Sequence, residues 1–200
     1  STPTEVIKLR TFDALVKTPE PSDYFRILDI TEEDVANLGG YPFTRQQLAQ
    51  IHRDLINQGA LGVGWVISFP QSDRFGGDKE FGELLGLTNS VIALFENDNG
   101  NYPKTTGTVI LGDDIGGYMS GGVVNNIKDL ADNSLEGVAS APTDIDNLVR
   151  RMPLLYRTPD GWIAAFGTQV LKSLTGADSY IIKTNPNGIE QIRVQGLVFQ

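Results

Sequence analysis

One histidine, His52, and no cysteine in 200 residues restrict the available chemistry from the outset. Thiol nucleophiles, thiolate metal sites and disulfides are excluded, as are most metal cages and nearly all Ser-His-Asp arrangements. His52 lies beside the apolar stripe of a helical pattern and reads as a satisfied core or boundary histidine. Asp144 and Asp146 form a D-x-D pair that could hold a divalent cation, although a polar turn explains them equally well. Asp98-Asn99-Gly100-Asn101 has turn composition, and Asp113-Asp114 beside Gly116-Gly117 reads as a solvated loop. Arg150 and Arg151, if on a strand, would point to opposite faces, so that one pairs internally. Gly59, Gly62 and Gly64 nearly make a dinucleotide fingerprint. They precede or lie within a strand pattern, which makes close packing the better explanation. There is no P-loop and no G-x-S-x-G elbow. No catalytic residue, metal ligand or cofactor is expected.

The background composition narrows the partners. Sixteen basic against twenty-five acidic residues give a net charge of −9, which disfavours nucleic acid and anionic membrane surfaces. Hydrophobic residues at 40% are ordinary for a globular chain and too many for disorder. The longest apolar run, Ala60 to Ile67, is about half the ~20 residues a membrane helix needs.

The elements that would position these groups follow from periodicity. Thr2 as cap, Pro3 at the first helical position and Glu5 predict a helix whose stripe is Val6, Leu9, Phe12 and Val16. Lys17 to Ser22 is a connector, and Tyr24 to Ile30 reads as a strand. Thr31 opens a short acidic helix that stops at Gly39-Gly40. The clearest helix starts at Thr44, with Leu48, Ile51, His52, Leu55 and Ile56 on one face, and Ala60 to Phe69 reads as a strand buried on both faces. Asp78 to Leu87 predicts a helix, and Ser90 to Phe95, Thr108 to Leu111 and Gly122 to Asn126 predict strands. Asp129 to Asp146 looks like loop, Leu148 to Tyr156 like a strand, and Trp162 to Leu174 like a helix. Ser179 to Thr184 and Ile189 to Val194 flank the turn Asn185-Pro186-Asn187-Gly188, a hairpin signal.

The predicted class is α/β: a mixed, largely parallel central sheet with helices on both faces and a C-terminal β-hairpin. One domain over 1–200 is expected, with an N-terminal helix (1–17), a βαβ-containing core (23–96), a loop-rich region (97–147) and a strand-helix-hairpin portion (148–200). In such sheets ligands gather beyond the C-terminal strand ends. That rim comprises Thr31, then Asp73 and Arg74, then Glu96 and Asn97, with Arg45 at the start of the neighbouring helix. These six are the candidate ligand-binding residues.

The stretch Arg26 to Phe69 resembles the second class of CHASE domain, extracellular sensory domains associated with cyclases and histidine kinases. The resemblance rests on Ile27 to Ile30, Leu38-Gly39, Tyr41-Pro42-Phe43-Thr44-Arg45, Leu48 to Gly59, Gly59-Ala60 and Val63 to Phe69. Leu9-Arg10 to Asp13, Gly77-Asp78, Gly122 to Asn125, Asp144 to Asn147, Val149 to Leu154 and the helix after Asp160-Gly161 extend it over nearly the whole chain. Two positions that are usually acidic in the family are Thr31 and Val66 here. The resemblance implies a non-catalytic sensor outside the cytoplasmic membrane, periplasmic or at the cell surface, anchored by helices before Ser1 and after Gln200. It implies an unknown small molecule or periplasmic protein as partner, with a homodimer as a further expectation. Two other readings stand beside it: a free-standing binding or assembly protein that kept the sensor fold, and a carboxylate-dependent hydrolase using Asp73, Asp78 or Glu96 with Arg45.

Overall fold

The computed structural model describes residues 2–17 and 20–200. The expected Thr2 side-chain cap and the Thr18-Pro19 part of the connector lie outside the described residues. The chain divides into two compact units, 1–43 with 142–151, and 44–141 with 152–200.

The first unit holds α1 (Thr2–Leu15) and α2 (Glu32–Asn37). α1 forms as predicted, but of its stripe only Leu9 is buried; Phe12 and Val16 are exposed. α2 is fixed by a full capping box. The Thr31 hydroxyl accepts from Asp34 N, and the Asp34 carboxylate accepts from Thr31 N at 2.9 Å. The predicted strand Tyr24 to Ile30 is not formed. The segment has no ladder partner, and Tyr24 and Ile27 stand almost fully exposed. Apolar alternation alone cannot make a strand without a neighbouring edge.

The second unit opens with α3 (Arg45–Asn57), capped by Thr44 and Gln47 as predicted. β1 (Val63–Trp65) is shorter than the ten-residue strand expected. α4 (Asp78–Gly86) then leads to β2 (Ser90–Glu96), which lies parallel to β1 in a βαβ unit. The crossover helix is therefore α4, not the helix from Thr44. β3 (Thr108–Leu111), β4 (Tyr118–Met119) and β5 (Val123–Val124) follow. α5 (Lys128–Ala131) and β6 (Leu135–Val138) replace the loop expected from Asp129 onward, and β6 runs parallel to β2. Leu-Glu-Gly-Val carries little strand signal because Gly137 is needed elsewhere: a Cβ there would sit 2.6 Å from Phe166 Cα. Gly64 serves the same purpose on β1, where a Cβ would lie 2.9 Å from the Phe166 ring. Of the glycines noted in the sequence, Gly62 and Gly64 are therefore packing glycines, whereas Gly59 has open space around it and takes a positive φ of 97° just after α3.

β7 (Leu155–Thr158) and β8 (Gly161–Ala164) form a hairpin around Pro159-Asp160. Trp162 to Ala164 are therefore strand, and α6 begins only at Phe166 (Phe166–Thr175). The expected strand from Leu148 starts seven residues late for the same reason: β8 pairs only with Leu155–Thr158. β9 (Tyr180–Asn185) and β10 (Gly188–Val194) make the predicted hairpin, and β11 (Leu197–Phe199) folds back on β10.

The class is α/β, but the strands divide into three sheets rather than one central sheet. β8 explains how they stack. Trp162 and Ala164 join a core with Tyr180, Ile182 and Val194, whereas Ile163 and Ala165 join Leu94, Val123 and Val138. Alternation along one strand therefore places the β4-β7-β8 sheet between two apolar layers.

Candidate functional site

The six rim residues fall into three settings. Thr31 belongs to the first unit and is occupied in capping α2. Arg45, Asp73 and Arg74 surround the start of α3. There Arg45 Nε donates to Asp78 Oδ1 at 2.8 Å, and Nη2 donates to the Gln71 carbonyl at 2.8 Å. The guanidinium also lies over the Phe69 ring, 4.6 Å from its centroid. Asp73 accepts from the Arg45 backbone N–H at 2.7 Å, while its own N–H donates to Asp78 Oδ2 at 3.0 Å. Burial raises the Asp73 carboxyl, but backbone donors from Phe75 and Arg45 outweigh it and hold the group below its ordinary value. Arg45 and Asp78 are both buried, so this network is a closed structural lock joining α3 to α4. Arg74 extends over the Phe75 ring at 4.6 Å.

Glu96 and Asn97 end β2. The Glu96 N–H donates to Ser140 Oγ at 2.9 Å, and Asn97 N–H donates to the Gly122 carbonyl at 2.9 Å. Burial pushes the Glu96 carboxyl up; a Ser120 hydrogen bond opposes this and nearby Asp98 reinforces it. The phenols of Tyr118 and Tyr156 are also raised, by burial first and by the Glu96 charge second. Tyr156 donates to the Ser140 carbonyl, and its ring meets Tyr118 edge-on at 5.5 Å.

The D-x-D pair is taken by an arginine. A turn with Asn147 at φ 62° brings Asp144 and Asp146 towards Arg150, within the first unit. Arg150 Nη1 donates to Asp144 at 3.1 Å and to Asp146 at 2.8 Å. Its Nε and Nη2 grip the Asp13 carboxylate of α1 at 2.7 and 2.8 Å, a two-pronged pair. The Arg150 side chain is 4% exposed against 72% for Arg151, so one guanidinium does pair internally, although the segment is not a strand. Asp146 is held down at about 2 by the Arg150 hydrogen bond, and Asp13 is lowered by the same guanidinium. His52 is likewise a structural group. Its Nδ1 accepts from Trp65 Nε1 at 3.2 Å, and its Nε2 lies 2.9 Å from Thr88 Oγ1, which fixes the neutral tautomer.

The feature missed by sequence reasoning lies elsewhere in the second unit. A cavity of about 610 Å³ is bounded by α6, β6 and the strand-free stretch 103–107. Two α6 side chains one turn apart, Gln169 and Lys172, line it while only 4% and 8% exposed. Gln169 Oε1 accepts from Tyr180 OH at 3.0 Å, which leaves its amide donors unused. Among the described residues no carboxylate lies within ion-pair distance of Lys172 Nζ, which sits 5.9 Å from the Tyr180 ring centroid. Burial lowers the Lys172 ammonium, with only a longer-range attraction from Asp178 opposing it. Among the described residues Thr106 Oγ1 is buried with no partner, without accessible surface towards the cavity. Glu136, raised by burial and near Asp132, accepts from Asn126 Nδ2 at 2.8 Å. No local sequence signal marked this wall: only the fold shows that α6 buries Thr168, Gln169 and Lys172 while Leu174 is exposed.

Among the described residues no group of three or more His, Cys, Asp or Glu could hold a metal, and no helix is long and apolar enough to cross a membrane. A family profile for the CHASE2 domain matches residues 2–197. No curated protein and no solved structure matches the chain.

Proposed function

The chain belongs to the CHASE2 domain family, extracytoplasmic sensory domains of signalling receptors, and on that premise we propose that it performs no chemistry itself. In this reading it is the outer part of a membrane-bound receptor whose output is of cyclase or kinase type. It binds a small molecule, or failing that a periplasmic protein, and passes a conformational change to the membrane. The observation that carries the reading is the 610 Å³ cavity, whose lining includes the largely buried polar residues Gln169 and Lys172 of α6. Ligand pockets typically span 300–1,000 Å³ and fix their ligand through a few placed polar groups. A ligand that binds one of two conformations more tightly shifts their populations, and only by that difference in affinity.

In this reading the first unit supplies the output element. Asp13 ties α1 to the 144–150 turn through Arg150, and that turn is continuous in sequence with β6 on one side and β7 on the other. The hydrolase alternative loses support because Arg45, Asp73 and Asp78 bond to one another and leave no positioned nucleophile and base. The test is a thermal-shift screen of metabolites and ions with the 200-residue chain. A ligand at 100 times its Kd adds about 2.7 kcal/mol. Binding without turnover is expected. Turnover of any compound, abolished by replacing one carboxylate, would overturn the proposal.

A further inference from the structure

We propose that the cavity beside α6 is an anion subsite for a small monocarboxylate, whose carboxylate is held by Lys172 Nζ and the Gln169 amide. The inference rests on the sensor reading and specifies the chemistry of its ligand. Its first support is the setting of the two side chains. They stand three positions apart on α6, which makes them neighbours on one helix face, and both line the cavity. Only 4% of Gln169 and 8% of Lys172 is exposed. Among the described residues the Lys172 ammonium makes no hydrogen bond and no ion pair; its contact is with the Tyr180 ring. A lysine is seldom buried so far without an anion, and burial disfavours its charge. A bound carboxylate would supply the missing partner. The Tyr180 hydroxyl donates to Gln169 Oε1 at 3.0 Å and so fixes which end of that amide stays free. The amide NH2 and the ammonium are then two donors on one wall, and a carboxylate has two oxygens to receive them.

The second support is the placement of the acids in the lining, none of which neutralises Lys172. Glu136 accepts from Asn126 Nδ2 at 2.8 Å, on the face of β6 opposite to Gly137, which packs on Phe166. Asp132 is exposed and lies 4.0 Å from Lys128. Asp178 is exposed and attracts the ammonium only at longer range. These three acids stand against Lys172 and the exposed Lys104, so the lining is negative by one charge overall. One anionic charge is matched at Lys172, and a second would meet the acids, which favours a monocarboxylate over phosphate or a dicarboxylate. The half-buried apolar lining, Ala131, Leu135 and Ala177, is small and suits a short aliphatic body.

The test is calorimetry and thermal shift on the 200-residue chain. The probes are acetate and butyrate; the controls are butanol, which lacks the charge, and succinate and inorganic phosphate, which carry more of it. Butyrate is expected to bind, with each control at least ~10-fold weaker. Lys172→Met, which keeps the stem, should weaken butyrate ~10-fold or more. Gln169→Glu keeps the acceptor for Tyr180 but sets a carboxylate of its own beside Lys172, and should abolish butyrate binding. Tryptophan fluorescence checks that each variant is folded. Failure of both acetate and butyrate to bind, equal binding of butanol and butyrate, or equal butyrate affinity in Lys172→Met and the parent overturns the assignment. Where Lys172→Met does not fold, Gln169→Glu decides, and butyrate binding retained in it overturns the assignment. If another class of molecule binds and Lys172→Met leaves its affinity intact, the assignment fails and the sensor reading stands.

Discussion

Replacing Arg45 by Met tests whether the rim of the second unit is a structural lock rather than a ligand site. The substitution removes the 2.8 Å bond to Asp78, the 2.8 Å bond to the Gln71 carbonyl and the stacking on Phe69. Asp78 is left with one donor, the Asp73 N–H at 3.0 Å, in a site where its side chain is only 11% exposed. Breaking a buried pair on one side leaves an uncompensated charge and costs ~3–5 kcal/mol. In a chain of this size each kcal/mol lowers Tm by ~2–4 °C, so a fall of ~6–20 °C is expected. Arg45→Lys should lie between, because an ammonium cannot span both acceptors. Adding Asp78→Asn to Arg45→Met should recover part of the loss, since the orphaned charge is gone. The exposed Lys79–Glu83 pair, 3.9 Å apart, provides the control, and Lys79→Met should cost under ~0.5 kcal/mol. Both tryptophans, Trp65 and Trp162, belong to the second unit, so their fluorescence in a urea titration reads its unfolding. A loss below ~1 kcal/mol in Arg45→Met, or a double variant no more stable than the single one, would refute the reasoning.

Three further outcomes follow from titrating groups. Burial depresses His52 below its ordinary 6.5, so the unfolded chain takes up the proton first. Stability of the second unit should therefore fall as pH drops below about 6.5, by at most about 1.4 kcal/mol per pH unit; a His52→Gln variant with the same slope in urea titrations would contradict this. Glu96 is raised by burial, so its neutral form favours folding at low pH and its ionisation opposes folding as pH rises through the raised value. Glu96→Gln should raise the urea midpoint at pH 7 and change it little at pH 4, and a lower midpoint at pH 7 would count against the argument. Asp13 and Asp146 are depressed by Arg150, so the hold on α1 is complete above about pH 4 and is lost as pH falls towards about 2. Arg150→Gln should free α1 already at pH 7, seen as faster amide exchange over residues 2–15; unchanged exchange would show that the Asp13 contact holds nothing.

The elements that could be read from the sequence are those whose signals are local. The Thr44 and Thr31 caps, the α4 boundary, β2, β3 and the 180–194 hairpin depend on cap, turn and short-range pattern, and they are where expected. Tyr24 to Ile30 has better strand composition than Leu135–Val138, yet only the latter pairs, because β2 offers it a parallel edge and α6 needs its glycine. Strand formation is decided by a distant neighbour, which no window of seven residues contains. The site follows the same rule. The rim residues drew notice because they were expected beyond the C-terminal strand ends, but three charges distant in sequence, Arg45, Asp73 and Asp78, meet there in the fold and satisfy one another. Lys172 and Gln169 look like the solvated side of an amphipathic helix. Only the fold shows them nearly as buried as the core and, among the described residues, with no carboxylate in ion-pair distance of Lys172, a setting that no local window of sequence reveals.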